Sequence, residues 1–405
     1  MRWESKKIKD TGKIVTGKTP PTANRDFFDG EYLFVTPTDL DFHNYYIYQT
    51  KTTISEVGKS RHINQFLPAN SVMYTCIGNT IGKIALNKNE CLTNQQINSI
   101  IPNDNHDFKF LYYYLISITP FIKNLGGGVA TPIVNKSKFE DIDITIPRFP
   151  IQRKIASILS AYDDLIENNL KRIKLLEEKA QLHYKELMQE VSYSKTKREE
   201  YIKNCLAFYI GGGWGEEDYK EGFTEPAFVI RGTDIPDAKK GEVKGVPFRY
   251  HKESNLASRN MQAGDIVFEV SGGSKGQPVG RSNLITEKML QQFGKPVMCA
   301  SFCKMLRPNE NVTPEFFYLY LLASHENGVI AQYEKHSASN IVNYGFEEFI
   351  GEQKITIPKE SELKAFTGKV KPIFTLISTL GEQNSKLREA RDILLPKLMN
   401  GQIEV

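Results

Sequence analysis

The chain has 405 residues, 40% of them hydrophobic, and its formal net charge is only +4. This length exceeds what one ordinary core accommodates, so we expect two domains, and the weak overall charge means that binding to nucleic acid would need local basic patches. The N-terminal segment MRWESKKIKD lacks the apolar core of a signal peptide, and the most apolar stretch, residues 110–122, is too short to cross a bilayer. We therefore expect a cytoplasmic protein that does not enter a membrane and whose five cysteines are buried and reduced.

The first motif in the chain is GKIVTGKT, residues 12–19, which fits the phosphate-binding pattern G-x-x-x-x-G-K-[ST]. A working phosphate loop also needs a buried strand before it and a helix that begins at the Lys-Thr pair. Here the polar segment KKIKDT precedes the motif and Pro20-Pro21 follow it, so we interpret it as a glycine-rich turn in a β-rich domain. An ATP-using enzyme that depends on this motif remains an alternative.

Much of the chain is an internal repeat. Segments in the first half match segments in the second half in the same order: 34–40 with 229–235, 67–86 with 261–280, 103–117 with 309–323, and 131–147 with 339–358. In the second copy FYIGGGWGEED replaces GKIVTGKT and has no Lys-Ser/Thr pair. The repeat predicts two similar α+β domains, each followed by a long helix.

Two long segments have the heptad pattern of a coiled coil. Apolar residues recur in steps of three and four from Ile155 to Leu187 and from Leu363 to Leu398. Asparagine interrupts each seam near its middle, at Asn169 and Asn384, and we interpret this pair as fixing the register of the helices. The alternative is that both asparagines lie at the edge of the seam and face water. Pro372 is expected to kink the second helix or to end its first segment.

These features together resemble the specificity subunit of a type I restriction-modification system. The resemblance covers the whole chain and depends most on the two Ile-Pro junctions with their helices, on the Thr-Asp pairs at 38–39 and 233–234, and on the Ile-Val-Asn segments at 133–135 and 341–343. It implies tandem mixed α/β target-recognition domains joined by two long antiparallel coiled-coil helices, with pseudo-twofold symmetry. The expected divisions are 1–149 for the first recognition domain, 150–192 for the first spacer helix, 193–358 for the second domain and 359–405 for the second helix.

The resemblance also implies what such a chain does and with what. It implies a non-catalytic subunit that reads a bipartite site on double-stranded DNA, one half with each domain, and that assembles with two methylation subunits and with restriction subunits. S-adenosylmethionine, ATP and Mg²⁺ are expected only on those partners, so we expect no cofactor, no metal and no catalytic residue on this chain.

The residues themselves favour DNA recognition too, because an internal twofold repeat suits two half-sites and because polar loops combine groups that bind phosphates with groups that read base edges. The expected DNA contacts in the first copy are Lys18, Thr38, Arg61, Asn79, Thr80, Lys83, Asn94, Gln95, Gln96, Asn135 and Lys136. Those in the second copy are Arg231, Thr233, Arg249, His251, Ser274, Lys275, Gln277, Arg281, Lys335, Ser339, Asn340 and Asn343.

Two other groups of residues are interpreted as structural. Asp39 and Asp234 are expected to hold a loop rather than to catalyse, because neither copy offers a partner carboxylate or histidine. The aromatic run Tyr112–Tyr114 is expected to lie in the core.

The alternative function for the whole chain is a DNA-binding scaffold with a coiled-coil spacer that does not read sequence.

Overall fold

The computed structural model describes residues 3–42, 45–125, 132–193, 197–273, 279–336 and 342–405. The chain folds into two compact units, which are Met1–Leu165 with Leu387–Val405 and Ile166–Lys386. Each unit contains strands and helices in alternation, and each contains part of both long helices. The α+β class that the sequence predicts is confirmed.

In its described residues the first unit has ten strands and the helices between them. Its elements in chain order are β1 (Trp3–Lys7), β2 (Gly12–Thr16), β3 (Phe28–Val35), β4 (Tyr46–Ile47), β5 (Thr52–Ile54), α1 (Glu56–Arg61), β6 (Val72–Thr75), β7 (Ile84–Asn87), β8 (Cys91–Thr93), β9 (Ile97–Pro102), α2 (Phe108–Leu125), α3 (Lys136–Glu140), β10 (Asp143–Pro147) and α4 (Phe149–Ser192). The strands form sheets in the orders β2-β9-β6-β7-β4, β5-β3-β8 and β1-β10.

Strand β6 shows why these sheets are stable. Because successive side chains point to opposite faces of a strand, Val72 and Tyr74 enter one core while Met73 enters another. The first of these cores also contains the aromatic run of α2, where Tyr112 and Tyr113 are each 0% exposed. The expectation that this run is core is confirmed.

The second unit repeats this plan with insertions. Its elements are β11 (Arg198–Tyr201), β12 (Leu206–Gly211), β13 (Glu225–Ile230), α5 (Ile235–Lys239), β14 (Phe248–His251), α6 (Glu253–Arg259), β15 (Ile266–Glu269), β16 (Ser271–Gly273), β17 (Ser282–Leu284), α7 (Glu287–Phe293), β18 (Val297–Cys299), β19 (Cys303–Pro308), α8 (Pro314–Glu326), β20 (Glu334–His336), β21 (Val342–Tyr344), α9 (Phe346–Glu352), β22 (Lys354–Ile357) and α10 (Glu360–Met399).

The strand orders confirm the internal repeat. The sheets of the second unit run β12-β19-β15-β17, β14-β13-β18 and β11-β22, and they match the orders in the first unit except that β4 there is an additional edge strand. Strand β15 repeats the alternation of β6, since Ile266 and Phe268 enter one core and Val267 enters another. A further sheet, β16-β21-β20, belongs to the second unit.

In the first unit the start of α4 packs against the end of α10. Ile155 and Leu159 share a core with Leu395 and Leu398. Beside this apolar contact lies a buried ion pair: Asp163 and Arg391 are 2% and 5% exposed, and the guanidinium donates to the carboxylate. Tyr113 of α2 donates its hydroxyl proton to the other carboxylate oxygen, so the pair ties the helices to the sheet domain of this unit. Earlier residues of α4 face later residues of α10, which makes the packing antiparallel.

In the second unit the rest of α4 packs against the rest of α10. Residues of both helices, including Ile173, Ala180, Val370 and Ile377, enter one apolar cluster, as the heptad pattern predicts. The asparagines of the two seams face each other, and the Asn169 amide donates to Oδ1 of Asn384 at 3.0 Å. Both are buried, at 7% and 0% exposure, so they do not lie at a solvated edge.

Helix α10 continues through Pro372, so proline does not end a first segment here, and the other expected outcome, a kink, stays a prediction. A proline removes the hydrogen bond to the carbonyl four residues earlier, which belongs to Gly368. Gly368 and Pro372 are both exposed, so water can satisfy that carbonyl without a break in the helix.

Candidate nucleic-acid interface

Five segments of the first unit converge at one end of its sheets. The Lys18 amide donates to Thr93 O at 2.8 Å, and the Asn94 amide donates to Val35 O at 3.0 Å. The Cys76 amide donates to Gln96 O at 2.9 Å, and Gly78 donates to Pro132 O at 2.8 Å. We call residues 17–19, 36–39, 76–83, 94–96 and 132–136 the first loop cluster.

The first loop cluster contains all the expected DNA contacts of the first copy except one. Arg61 is the exception, because it is the last residue of α1, which packs against β3 and its neighbours. The residues that the cluster brings together are Lys18, Thr38, Asn79, Thr80, Lys83, Asn94, Gln95, Gln96, Asn135 and Lys136. Segments far apart in sequence thus supply one polar surface.

Internal hydrogen bonds hold these side chains in place. Asn94 accepts from the Gln96 amide at 3.0 Å and donates to its side chain, and Asn135 caps α3 by accepting from the Lys138 amide at 2.9 Å. Lys83 donates to the carbonyl of Pro37 at 3.0 Å. Lys18, by contrast, is exposed and forms no ion pair with another described residue, so its charge faces the solvent.

The GKIVTGKT motif has none of the structure of a phosphate loop. Gly12–Thr16 forms β2, and the described residues 17–24 that follow it contain no helix. Gly17 instead lies directly against the backbone of β8 and the next residue: a Cβ at this position would be 2.2 Å from both Thr93 O and Asn94 O. The motif is therefore mostly a strand that ends in a close crossing at Gly17, and its interpretation as a glycine-rich turn is wrong for Gly12–Thr16.

The second unit has a matching set of loops. The Gly213 amide donates to Cys299 O at 2.9 Å and the Ala300 amide to Ile230 O at 2.8 Å. Val270 donates to Phe302 O at 2.9 Å, and Ser271 bonds to Asn343 at 3.0 Å. We call residues 212–214, 231–234, 269–273, 279–281, 300–302 and 342–345 the second loop cluster.

The expected contacts of the second copy fall into three groups. Arg231, Thr233, Arg281 and Asn343 lie in the second loop cluster, and Lys335 pairs with Asn343 across strands β20 and β21. Arg249 and His251 lie on β14. The other five, Ser274, Lys275, Gln277, Ser339 and Asn340, lie outside the described residues.

The arginines of the second copy already have acidic partners. Arg281 forks onto Glu269, with Nε 2.8 Å from Oε2, and this hydrogen bond raises the pKa of Arg281. Arg231 forks onto Asp234 in the same way, with Nε 2.9 Å from Oδ2, and its pKa is also raised by that bond. Arg249 stacks on Trp214, 4.7 Å from the ring centre, and bonds to Glu217 at 3.0 Å. Each would have to leave a carboxylate before it could fork onto a guanine.

His251 does not suit the role that the sequence suggested. It is 1% exposed, and this burial lowers its pKa, which favours the neutral ring. A Cβ at Gly215 would lie 2.7 Å from the ring, so this backbone covers the histidine. A side chain in this position does not reach DNA, and we remove His251 from the proposed contacts.

The two Thr-Asp pairs hold loops, as expected. Asp39 accepts from the Thr36 amide at 2.8 Å, and Asp234 accepts from the Arg231 amide at the same distance. Both carboxylates thus close a four-residue turn from its last position. The same bond at matching sites of the repeat explains why the pair occurs in both copies.

Three exposed apolar residues in or beside these loops were not predicted from the sequence. Ile133 is 51% exposed in the first loop cluster, and Phe302 and Trp214 are 63% and 39% exposed in the second. Alignment of the two copies could have found Phe302, because it takes the place of Gln96 in a loop that is otherwise polar.

Other kinds of site find little support in the described parts of the chain. All five cysteines are free and buried, as expected, and burial raises the pKa of Cys76 to about 12. The described residues contain no group of three or more His, Cys, Asp or Glu side chains that could hold a metal ion. Among the described helices, none is long and apolar enough to span a bilayer.

Comparison with known proteins shows similarity to one family. The family described as "Type I restriction modification DNA specificity domain" matches residues 1–178. The chain is 28% identical to the type I restriction enzyme MjaIX specificity subunit of Methanocaldococcus jannaschii, over 100% of this chain and 94% of that protein. It is 36% identical to the HindI specificity subunit of Haemophilus influenzae over 43% of this chain and 39% of that protein.

A solved structure confirms the fold. The S subunit of a type I restriction-modification system from M. genitalium superposes with a TM-score of 0.56 at 17% identity, covering 98% of this chain and 96% of that one. Its fold thus agrees with the tandem repeat and paired long helices described above. The chain is thus similar to type I restriction-modification specificity subunits, through the family model in its first 178 residues and through the M. jannaschii relative over its whole length.

Proposed function

We propose that this chain is the sequence-specific DNA-recognition subunit of a type I restriction-modification complex, and that each loop cluster reads one half of a bipartite target. The observation that carries the proposal is the recurrence of one loop framework in both units, built from the same backbone hydrogen bonds but with different side chains. Two similar frameworks with different polar groups suit two different half-sites. The similar proteins are specificity subunits of type I restriction enzymes, which supports the same function for this chain.

The first loop cluster has the groups that such reading needs. Asn94, Gln95 and Gln96 present amides, which pair with the donor and acceptor of adenine in the major groove. Exposed Lys18 and Lys136 can neutralise phosphates and so position the domain without reading sequence. Residues 1–149 and 193–358 are the proposed recognition domains.

We further propose that the long helices set the gap between the half-sites and dock the methylation subunits. Away from the seam, α4 exposes apolar side chains one heptad apart in each unit: Ile158 and Leu165 in the first, and Leu175 and Leu182 in the second. Such stripes suit contact with another protein, and their recurrence suits two methylation subunits. Methyl transfer with S-adenosylmethionine and ATP-driven restriction then belong to the partner subunits.

Methylome sequencing of cells with and without the gene tests recognition directly. We expect a methylated bipartite motif that is present only with the gene. Exchange of residues 193–358 for the corresponding domain of a relative should change one half of the motif, and the matched exchange of residues 1–149 should change the other half. A single exchange that altered both halves, or DNA affinity that depended on salt but not on sequence, would contradict the proposal and favour a scaffold.

The asparagine pair gives a separate test of the helices. Replacing Asn169 and Asn384 together with leucine should stabilise the chain by about 1–3 kcal/mol, because Nδ2 of Asn384 is buried without a hydrogen-bond partner among the described residues. The seam should then accept shifted registers, and the gap between methylated half-sites should become less uniform. Urea unfolding and methylome sequencing measure the two effects. The matched control is the exposed Asn168→Leu, and an unchanged gap in the double variant would assign the pair no role in register.

A further inference from the structure

The backbone equates Phe302 of the second loop cluster with Gln96 of the first. The Cys76 amide donates to Gln96 O at 2.9 Å, and the Val270 amide donates to Phe302 O at the same distance. Two residues earlier the frames also agree, since Asn94 donates to Val35 O and Ala300 donates to Ile230 O. One position of a common loop therefore carries an amide in one unit and a phenyl ring in the other.

Gln96 and Phe302 differ in solvent exposure as well as in polarity. Gln96 is partly buried, and its amide oxygen accepts from Asn94 at 3.2 Å. Phe302 is 63% exposed, more than Phe42, Phe121 or Phe208, the other strongly exposed phenylalanines among the described residues. A phenyl ring left in water forgoes the stabilisation that burial would bring, so the fold of the unit does not explain its position.

The second loop cluster, which contains Phe302, also has exposed side chains that can form hydrogen bonds. Thr233 and Asn343 are exposed in the same cluster, and Ser271 bonds to Asn343 at 3.0 Å. In the major groove an A·T pair presents donors and acceptors next to the C5-methyl group of thymine. A solvent-facing apolar group among polar ones matches that pattern.

We propose that Phe302 determines one base of the second half-site by apolar contact with a thymine methyl group, whereas Gln96 reads the first half-site by hydrogen bonds. The proposal deepens the proposed function and depends on it. It requires an A·T pair in the second half-site. It also explains how one framework supplies two specificities by a change at one position.

Reciprocal substitutions test the assignment in the full chain produced with its methylation subunits. Phe302→Gln should change the preferred base at one position of the second half-site, and Gln96→Phe should change one position of the first. Phe208→Gln on β12, another exposed phenylalanine of the second unit, is the matched control and should leave the motif unchanged. Methylome sequencing reads all three outcomes.

Removal of the methyl group itself is a second measurement. Replacing the thymine by deoxyuridine should weaken binding of the wild-type complex about fourfold, as expected for one lost apolar carbon, and should leave the affinity of the Phe302→Gln complex unchanged. Equal affinity of the wild-type complex for both duplexes would overturn the proposal. So would a second half-site without an A·T pair, a variant that weakens all duplexes equally, or one that folds but fails to assemble.

These outcomes distinguish a failure of the Phe302 assignment from a failure of the proposed function. If the wild-type chain directs methylation to a bipartite motif and Phe302→Gln directs it to the same motif, the assignment of Phe302 fails and the proposed function stands. If the wild-type chain shows no sequence preference at all, the proposed function itself fails.

Discussion

Replacement of Arg391 by leucine is expected to lower the free energy of unfolding of the first unit by about 3–5 kcal/mol. The substitution leaves the carboxylate of Asp163 buried at 2% exposure with only the hydroxyl of Tyr113 as a partner. A buried charge that loses its counter-ion keeps the full cost of its desolvation. The charges of Asp163 and Asp392 raise the pKa of Arg391 against the effect of burial, so the lost guanidinium is a permanent positive charge.

The double variant Asp163→Leu with Arg391→Leu is expected to recover most of that loss. Both positions adjoin an apolar seam that includes Leu159 and Leu395, so two leucines can pack where two charges had to be desolvated. Replacement of an entire buried ion pair by apolar residues is often neutral, whereas removal of one partner is not. The difference between the single and double variants therefore measures coupling rather than the loss of one contact.

The two tryptophans of the chain make the measurement specific to one unit. Trp3 lies in the first unit and Trp214 in the second, so urea unfolding followed by fluorescence in a Trp214→Phe background reports the first unit alone. Asp164→Leu is the matched control, because this neighbouring carboxylate is 56% exposed and its contact with Lys109 is long, at 3.7 Å. We expect it to cost about 0–1 kcal/mol. A loss of that small size in Arg391→Leu would show that the pair is not electrostatically coupled.

Much of the fold was predictable because the two halves of the sequence repeat the same segments in the same order. The matched segments around 67–86 and 261–280 give strands β6 and β15, and the heptads give the paired helices. The end of a helical segment at Pro372 was wrongly expected because the cost of a proline depends on whether water reaches the freed carbonyl, which local sequence does not reveal. Arg391 could be placed in the seam, but its partner Asp163 could not, because Tyr162 and Asp163 both fit steps of three and four between Leu159 and Ile166 and the apolar pattern favours the tyrosine.

The position of the candidate site was predictable where its residues lie in loops. Polar residues beside glycines predicted loops that the strand ends bring together in the first loop cluster, and their contact with DNA stays a prediction. Side-chain partners were not predictable: Arg281 and Arg231 look available in the sequence, yet Glu269 and Asp234 bind them. His251 failed for a similar reason, because its burial depends on the backbone at Gly215.

Substitution of Gly212 by alanine is expected to destabilise the second unit by about 1–3 kcal/mol or more. A Cβ on Gly212 would lie 2.2 Å from both Cys299 O and Ala300 O, and these backbone atoms cannot move without disturbing β18. The Gly213 amide should then lose its 2.9 Å bond to Cys299 O, which anchors this edge of the second loop cluster. Gly17 has the same contacts with Thr93 O and Asn94 O, so Gly17→Ala should act alike in the first unit.

The neighbouring glycine is the matched control. Gly213→Ala should be neutral or slightly stabilising. The nearest atom to its Cβ is the Met298 methyl carbon at 3.7 Å, and alanine reduces the conformational entropy of the unfolded chain. Lys18 already occupies the matching position of the first unit, which shows that the framework accepts a side chain there. Urea unfolding compares stability, and methylome sequencing should show loss of the second half-site in Gly212→Ala alone. Equal behaviour of the two alanine variants would mean that the close crossing does not position the loops, and that the glycines of GKIVTGKT need another explanation.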